Sequence, residues 1–544
     1  MATTLPYLES IAVITIKSTE NIAFSAEVLH KVVIDCSTIL SSKNTSFDIK
    51  ITFTQPIKAF RNHNYAWVAI SQKRIANSFA PKVIQLEDGC YVQANCNHGI
   101  WEVNENAPNV LLWRFNPEWA TPITHYTGAI NTKKITAAHS ILEIDEDLAL
   151  LFTQNHPIEL SRSPIPFAAI ACFTDHCDFD TAENLKIQRV FFKSNNIKIT
   201  KGFFLNHFSK RDENASIENQ AAEIGQWQQE GHELCYHSLT QSIRDNASAF
   251  AEFRHFTPPY TKIPVWIDHG FQPYNFSLFE KNEISSTEYE NTLTSKGISV
   301  LWNYVDCANA TTAMINQLNP DQFNLEYYYN AIKGQPFLKR SISLVKNIIF
   351  HYDNDEFRVR NYIESITHSK NIINKCKVQE IFSLIKNISP IVRMLLKVLF
   401  TWNTSKKQTY KAAQYSPLFF KHTIDKKEFY IFQTIEMLDF TTALCSDNVN
   451  ILIEESGVFI AHTYFSVDMA HYLGKLINSD TSLNEIAVAN FDYLSQKVKE
   501  KTIWNPTLSE LLTFYKKFQE TIFDIDEKGF IFIKNNSTIP SRTI

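Results

Sequence analysis

The sequence predicts an α/β protein, and three observations carry that prediction. Between residues 161 and 240, strand-like and helix-like stretches follow one another in β-α-β-α-β order, the order of a layered or barrel-shaped parallel sheet. Ahead of them, residues 1–160 hold short runs of β-branched and aromatic residues between polar turns. Behind them, the spacing from 325 to 449 is mainly helical and the charge strongly basic. A chain of 544 residues is too long for one ordinary core. The expected segments are a β-rich N-terminal domain (1–160), an α/β layered or barrel domain (161–324 and 450–520), a basic helical insertion (325–449), and a C-terminal strand and tail (521–544).

In the first segment, IAVITI, KVVIDC, FDIKITF, YAWVAI and PKVIQL suit a pleated surface. SPIPFAAIACFT is a near-continuous apolar run led by prolines and ended by charge, as in a strand buried on both faces. TAENLKIQRVFFKSNNI then has helical spacing, KITKGFFLN reads as a strand, SIENQAAEIGQWQQEG as a helix ended by glycine, and HELCYHS as another strand. Late in the chain, VFIAHTYF reads as a buried strand, MAHYLGKLI and LSELLTFYKKFQET as helices, and GFIFIKN as a closing strand.

Composition excludes some functions. A net charge of −5 gives no whole-molecule case for nucleic-acid binding. The N-terminus has no basic region before its short apolar run, which argues against a secretory signal. The longest strongly apolar stretch, IVRMLLKVLF, is broken by Arg393 and Lys397, so no segment reaches the roughly 20 apolar residues of a membrane span. Nine cysteines at unrelated spacings read as reduced thiols. A cytoplasmic protein is expected, with the inner face of the membrane as a further place of work.

The chemistry gathers at strand ends. GHELCYHSLTQS, residues 231–242, has a histidine pair spaced by five. On a helix that spacing leaves the pair roughly 140° apart, so the HExxH arrangement of a zinc protease is excluded. CFTDHCDFDT ends a buried strand in Asp175, His176, Asp178 and Asp180, at the carboxyl edge where α/β folds place their sites. His237, Asp268 with His269 in VWIDHG, and His462 in VFIAHTYF stand at three further strand ends. Carboxylates and imidazoles together suit Zn²⁺ or a related divalent ion.

The order of these motifs resembles the NodB-type polysaccharide deacetylases of carbohydrate esterase family 4. FAAIACFTDHCDFDT resembles the family's Asp-Asp strand, and Gly231, His232, Glu233, His237 and Ser238 match its GHE-x-x-x-H-[ST] block. The resemblance implies a distorted (β/α) barrel and a metal-dependent hydrolase that removes acetyl groups from amino sugars. It implies Asp175 as base, His462 as acid, and Asp178 and His237 as ligands of a divalent ion, Zn²⁺ by preference. His232 falls outside that ligand set. The second metal histidine of the motif falls at Gln241, and His176 or His269 is expected to supply the missing imidazole. Divergent branches associated with surface-polysaccharide gene clusters are the nearest pattern.

FRHFTPPYTKIPVWIDHGFQPYN stands where the family has its Arg-x-Pro motif, so Arg254 is expected to orient the catalytic aspartate. Trp266, Tyr274, Trp302 and Asp306 are expected to bind substrate, with core packing the alternative for the aromatic residues. From 333 to 411 fifteen Lys and Arg face five Asp and Glu, which leaves −15 on the rest of the chain. Residues 378–402 combine apolar positions with Lys386, Arg393 and Lys397, a pattern for peripheral contact with a membrane. The expected function is deacetylation of a carbohydrate, and membrane contact would make a lipid-linked glycan precursor the substrate. The alternative is an inactive relative that binds glycan or scaffolds a polysaccharide-synthesis complex, and Gln241 favours it.

Overall fold

The computed structural model describes residues 11–16, 20–21, 24–28, 30–34, 46–126, 133–137, 147–282, 284–375, 378–466, 475–535 and 537–544. Alternation builds the N-terminal region. Phe47–Phe53 buries Phe47, Ile49, Ile51 and Phe53 along one face, the period-two pattern of a strand with one covered side. Two antiparallel sheets, of six and seven strands, share a core in which Ile51 and Trp113 of one meet Ile84 and Leu150 of the other. The region is therefore β-rich, as expected, and forms a sandwich.

Continuous burial, in contrast, marks the second sheet. β1 (Ala169–Asp175) has all seven residues buried. After it come α1 (Ala182–Asn195), β2 (Thr200–Phe203), α2 (Ile217–Gln229), β3 (Glu233–His237), α3 (Asn246–His255), β4 (Val265–Ile267), α4 (Ser286–Ser295) and β5 (Val300–Trp302). The side chains of Thr181, Asp245 and Ser285 cap α1, α3 and α4, each satisfying an orphan N–H of a first turn. Neighbouring strands from β1 to β5 pair in parallel.

The chain continues through β6 (Asp306–Asn309), the helices α5 (Phe337–Asn347), α6 (Glu356–Lys375) and α7 (Ile381–Phe400), then β7 (Phe419–Ile424), β8 (Lys427–Phe432), β9 (Thr434–Glu436) and β10 (Val458–Thr463). Strand order in the sheet is β6-β9-β10-β1-β2-β3-β4-β5-β8-β7. Only the β7–β8 pair is antiparallel along this path. Trp302 ends β5 and Asp306 opens β6, yet six strands stand between them in the order. So short a link forces the sheet to curl into a half-barrel. Across the gap, the Thr434 N–H donates to the Val305 carbonyl at 3.2 Å, and the Trp302 indole N–H donates to Thr434 Oγ1 at 2.9 Å.

Within 325–449, expected to be mainly helical, β7 to β9 belong to the barrel sheet. Helix-forming composition gives way there to a hairpin whose turn residue, Asp425, adopts the left-handed conformation at φ 50°. The helix expected over MAHYLGKLI lies mostly outside the described residues. At the C-terminus, Ile531–Ile533 pairs with Phe523–Ile525, while Ser541–Thr543 pairs with Ile158–Leu160 of the N-terminal region. The described cysteines are free thiols. Among the described residues, no helix is long and apolar enough to cross a membrane.

Candidate metal centre

Alternation along β3 and β4 decides which side chains reach the barrel interior. His237 is registered against Ile267, and Tyr236 against Trp266. His237 ends β3 with 1% exposure, and the next residue, Ser238, turns the chain at φ 52°. Ser238 Oγ accepts the His269 N–H at 3.1 Å and donates to Asn275 Oδ1 at 2.6 Å. Asn275 returns its amide to the His269 carbonyl at 3.0 Å. The turn after β3 thereby fixes the turn after β4, and the imidazoles of His237 and His269 stand side by side.

Asp178 sits between them. Its Oδ2 lies 3.0 Å from His237 Nε2, and its Oδ1 lies 2.9 Å from His269 Nδ1. The two imidazole nitrogens are 3.1 Å apart. Asn214 holds the loop by donating to the Asp178 carbonyl at 3.0 Å. His176 completes the group: ligand atoms of His176, Asp178 and His237 all lie within 4.8 Å of one another. Ligands held tetrahedrally at about 2.0–2.1 Å from an ion are themselves about 3.3 Å apart, close to the spacings among Asp178, His237 and His269.

The donor set fits a divalent ion by chemistry as well as spacing. His269 Nε2 faces the Gln241 carbonyl at 2.8 Å, the outer contact that fixes the tautomer of a ligating imidazole. Burial lowers His237 to about 4. Burial, reinforced by His462 and His237, holds His176 well below the usual imidazole range. Both rings are thus neutral at pH 7, the form that ligates. Burial opposes ionisation of Asp178, but His269 and His237 keep its carboxyl well below the ordinary carboxylate range. His176 Nε2 is buried with no hydrogen-bond partner, a costly state for an imidazole nitrogen unless something else satisfies it. A buried His-Asp-His group able to hold a metal ion is therefore present, with His269 as a further donor.

His462, on β10, stacks on His176 with ring centroids 4.0 Å apart. Its Nδ1 lies 3.1 Å from Asp306 Oδ1, while its Nε2 is buried without a partner. Burial works against a charged His462, and Asp306 more than offsets this, raising its pKa above the ordinary value. Asp306, expected to touch substrate, pairs with His462 and orients its ring. Trp302 packs edge-on against both His176 and His462, with centroids 4.8 Å away in each case.

Asp175, three residues before Asp178, is committed elsewhere. Lys201 on β2 donates to Asp175 Oδ2 and to Asp180 Oδ2, and to Gln188 Oε1 at 2.9 Å. The other Asp175 oxygen accepts from Thr463 Oγ1 at 3.2 Å and the Phe465 N–H at 3.3 Å. Burial opposes the charge on Lys201, but Asp175 and Asp180 hold it protonated above its usual range. Two buried carboxylates share one ammonium, so burial, only partly offset by Lys201, lifts Asp175 to about 7. β1 and β2 approach closely here: a Cβ on Gly202 would sit 2.4 Å from the Asp175 carbonyl oxygen.

Three expected site residues lie elsewhere. Arg254 is on the exposed face of α3, paired with Glu288 and with no contact to an aspartate of the centre. Trp266 is fully buried, packing on Tyr236 and Phe253 and donating to Asp268 at 3.0 Å. Tyr274 stacks on Phe253 with centroids 5.2 Å apart in the same core. Parity explains Trp266, because successive residues of a strand point to opposite faces, while Tyr274 lies in the turn after β4. Asp268 caps the following turn through Phe276 and Ser277. His232 accepts the Ile199 N–H at 3.2 Å and packs on Trp227, away from the centre.

Lys201 was the residue that motif reading missed. Its signal is a lysine inside KITKGFFLN, of which Thr200–Phe203 forms a strand buried throughout, where a charge requires a partner. Neither the protein-family models nor the curated proteins compared with the chain give a match.

Proposed function

We propose that the chain is a metal-dependent hydrolase that removes N-acetyl groups from an amino sugar or glycan precursor in surface-polysaccharide metabolism. The observation that carries this reading is the convergence of Asp178, His237, His269 and His176 beside the His462–Asp306 pair. The motif order that resembles NodB-type deacetylases gives it the acyl substrate. When bound, a divalent ion such as Zn²⁺ supplies Lewis-acid polarisation of the acyl oxygen and makes water nucleophilic near neutral pH. His176, Asp178 and His237 would hold it, with His269 as a further donor.

His462 is the group placed to move protons. Asp306 fixes its Nδ1–H, which leaves Nε2 to accept a proton from water and return it to the departing amine. Asp175 is a positioning residue in this scheme: its salt bridge with Lys201 and its bonds to Thr463 and Phe465 join β1, β2 and β10 behind the centre. Trp302 and Tyr464 flank His176 and shield the imidazoles from water.

That same engagement of Asp175 favours a second reading, a glycan-binding or scaffolding relative without turnover. Metal analysis of the purified protein, followed by measurement of acetate released from N-acetylated sugars, separates the two. Stoichiometric metal with acetate release supports the hydrolase. Metal without acetate release from any N-acetylated sugar supports the binder, and protein that retains and binds no divalent metal overturns the hydrolase.

A further inference from the structure

The helical insertion shows its oily side to solvent. Of 22 exposed large hydrophobic side chains among the described residues, 14 lie between 337 and 400, and eight of those are on α7. Phe382 is 84% exposed, Ile385 61%, Leu399 66% and Phe400 85%. Single exposed apolar residues are ordinary on any surface, but a contiguous set is not. At 100° per residue, Phe382, Ile385, Val392, Leu396 and Leu399 fall on one stripe of α7. Its opposite stripe, Asn387, Ile391, Met394 and Val398, is buried in the protein. Asn387 there donates to Glu364 of α6 at 2.9 Å, which fixes the helix in its seat. The apolar stripe is thus presented outward by a helix that is already docked.

Charge accompanies it. Lys386, Arg393 and Lys397 are exposed along one flank of the stripe and form no ion pair with any described residue. On α5, Phe337 and Leu338 are exposed beside Lys339, with Ile342 and Lys346 following. An apolar stripe with a basic flank is the pattern of a helix lying in a bilayer interface. We infer that the exposed apolar face of α7 docks on the surface of an anionic lipid bilayer. The charge division selects that occupant. Residues 333–411 carry +10 and the remainder −15, so an anionic surface attracts the insertion and repels the rest of the molecule. A second copy of the chain meeting face to face would bring two such basic regions together, which like-charge repulsion disfavours. α7 does not need to cross the membrane for this role. The inference stands apart from the metal chemistry.

Vesicle flotation tests it with the full chain at low ionic strength. Wild-type protein is expected to float with vesicles of equal parts phosphatidylcholine and phosphatidylglycerol, at least roughly tenfold more than with phosphatidylcholine alone. Two variants separate the contributions: Phe382→Ser with Leu399→Ser and Phe400→Ser, and Lys386→Glu with Arg393→Glu and Lys397→Glu. Each is expected to reduce flotation at least roughly tenfold. These side chains are exposed, so unchanged circular dichroism shows that each variant keeps its fold. Wild-type protein that stays at the bottom of the gradient overturns the inference, as does flotation that neither variant alters. A dimer in light scattering that the Ser variant dissociates, with no flotation, assigns the face to a second copy instead.

Discussion

Asp175 and Asp178 stand three residues apart on the same strand end and meet opposite fates. Asp175 has its cation built in, the ammonium of Lys201, with every oxygen engaged and no exposure. Asp178 is surrounded by imidazoles and remains 9% exposed. Burial holds His237 low, while Asp178 itself more than offsets burial at His269 and holds that ring above its ordinary value. The difference teaches that a carboxylate beside a resident cation serves structure, while one among imidazoles is free to hold an exchangeable cation. In aligned form the two residues look interchangeable, and only their partners separate them.

The comparison breaks most visibly at Lys201. Lys201→Met leaves two buried carboxylates without their cation and is expected to cost about 3–5 kcal/mol, read as a lowered urea midpoint. Adding Asp175→Asn and Asp180→Asn should recover most of that loss; no recovery would show that Lys201 acts through packing alone. At the other carboxylate the effect moves from stability to ligand. His269→Gln or His237→Gln is expected to weaken Zn²⁺ binding by roughly a hundredfold in a calorimetric titration, with little change in the urea midpoint under chelator. If His269→Gln leaves affinity intact, the ion is held by His176, Asp178 and His237 without it.

Asp306→Asn sharpens the division further. Under the proposed hydrolase reading it is expected to keep the metal content while lowering kcat for acetate release by roughly a hundredfold, with KM nearly constant. A parallel loss of metal would place Asp306 in the ion's support. The smallest effect belongs to Gln241→Ala. Only the main-chain carbonyl of Gln241 reaches His269, and its amide oxygen accepts from Ser209 and Ser242, so stability should change by less than about 0.5 kcal/mol and metal affinity not at all. A collapse of affinity would mean that the side chain itself ligates.

Much of this was legible before any coordinates. The buried run AIACFTD and the helical spacing after it give β1 and α1 directly, because a strand covered on both faces and an amphipathic helix have different periods. Asp178, His237, His176 and His269 were legible as a set, since all stand at strand ends. Which imidazole stands beside His237 was not, because it depends on how close β3 and β4 lie, a distance that sequence spacing does not contain. Trp266 and Tyr274 misled for a related reason. Their orientation follows from register with Tyr236 and from packing on Phe253, neither of which is local. Arg254 fits the motif's place in the chain, yet Lys201, on a neighbouring strand, supplies the positive charge.

A donor as distant in sequence as His269 would change what an ion does to the molecule. A pair drawn from one strand and its turn leaves the metal attached to a single segment. Here the donors come from the ends of β1, β3 and β4, so a bound ion becomes a rivet through three staves of the half-barrel. Loading should then slow amide hydrogen exchange at all three strand ends together, and the chain would sense its metal as mechanical closure of the barrel mouth.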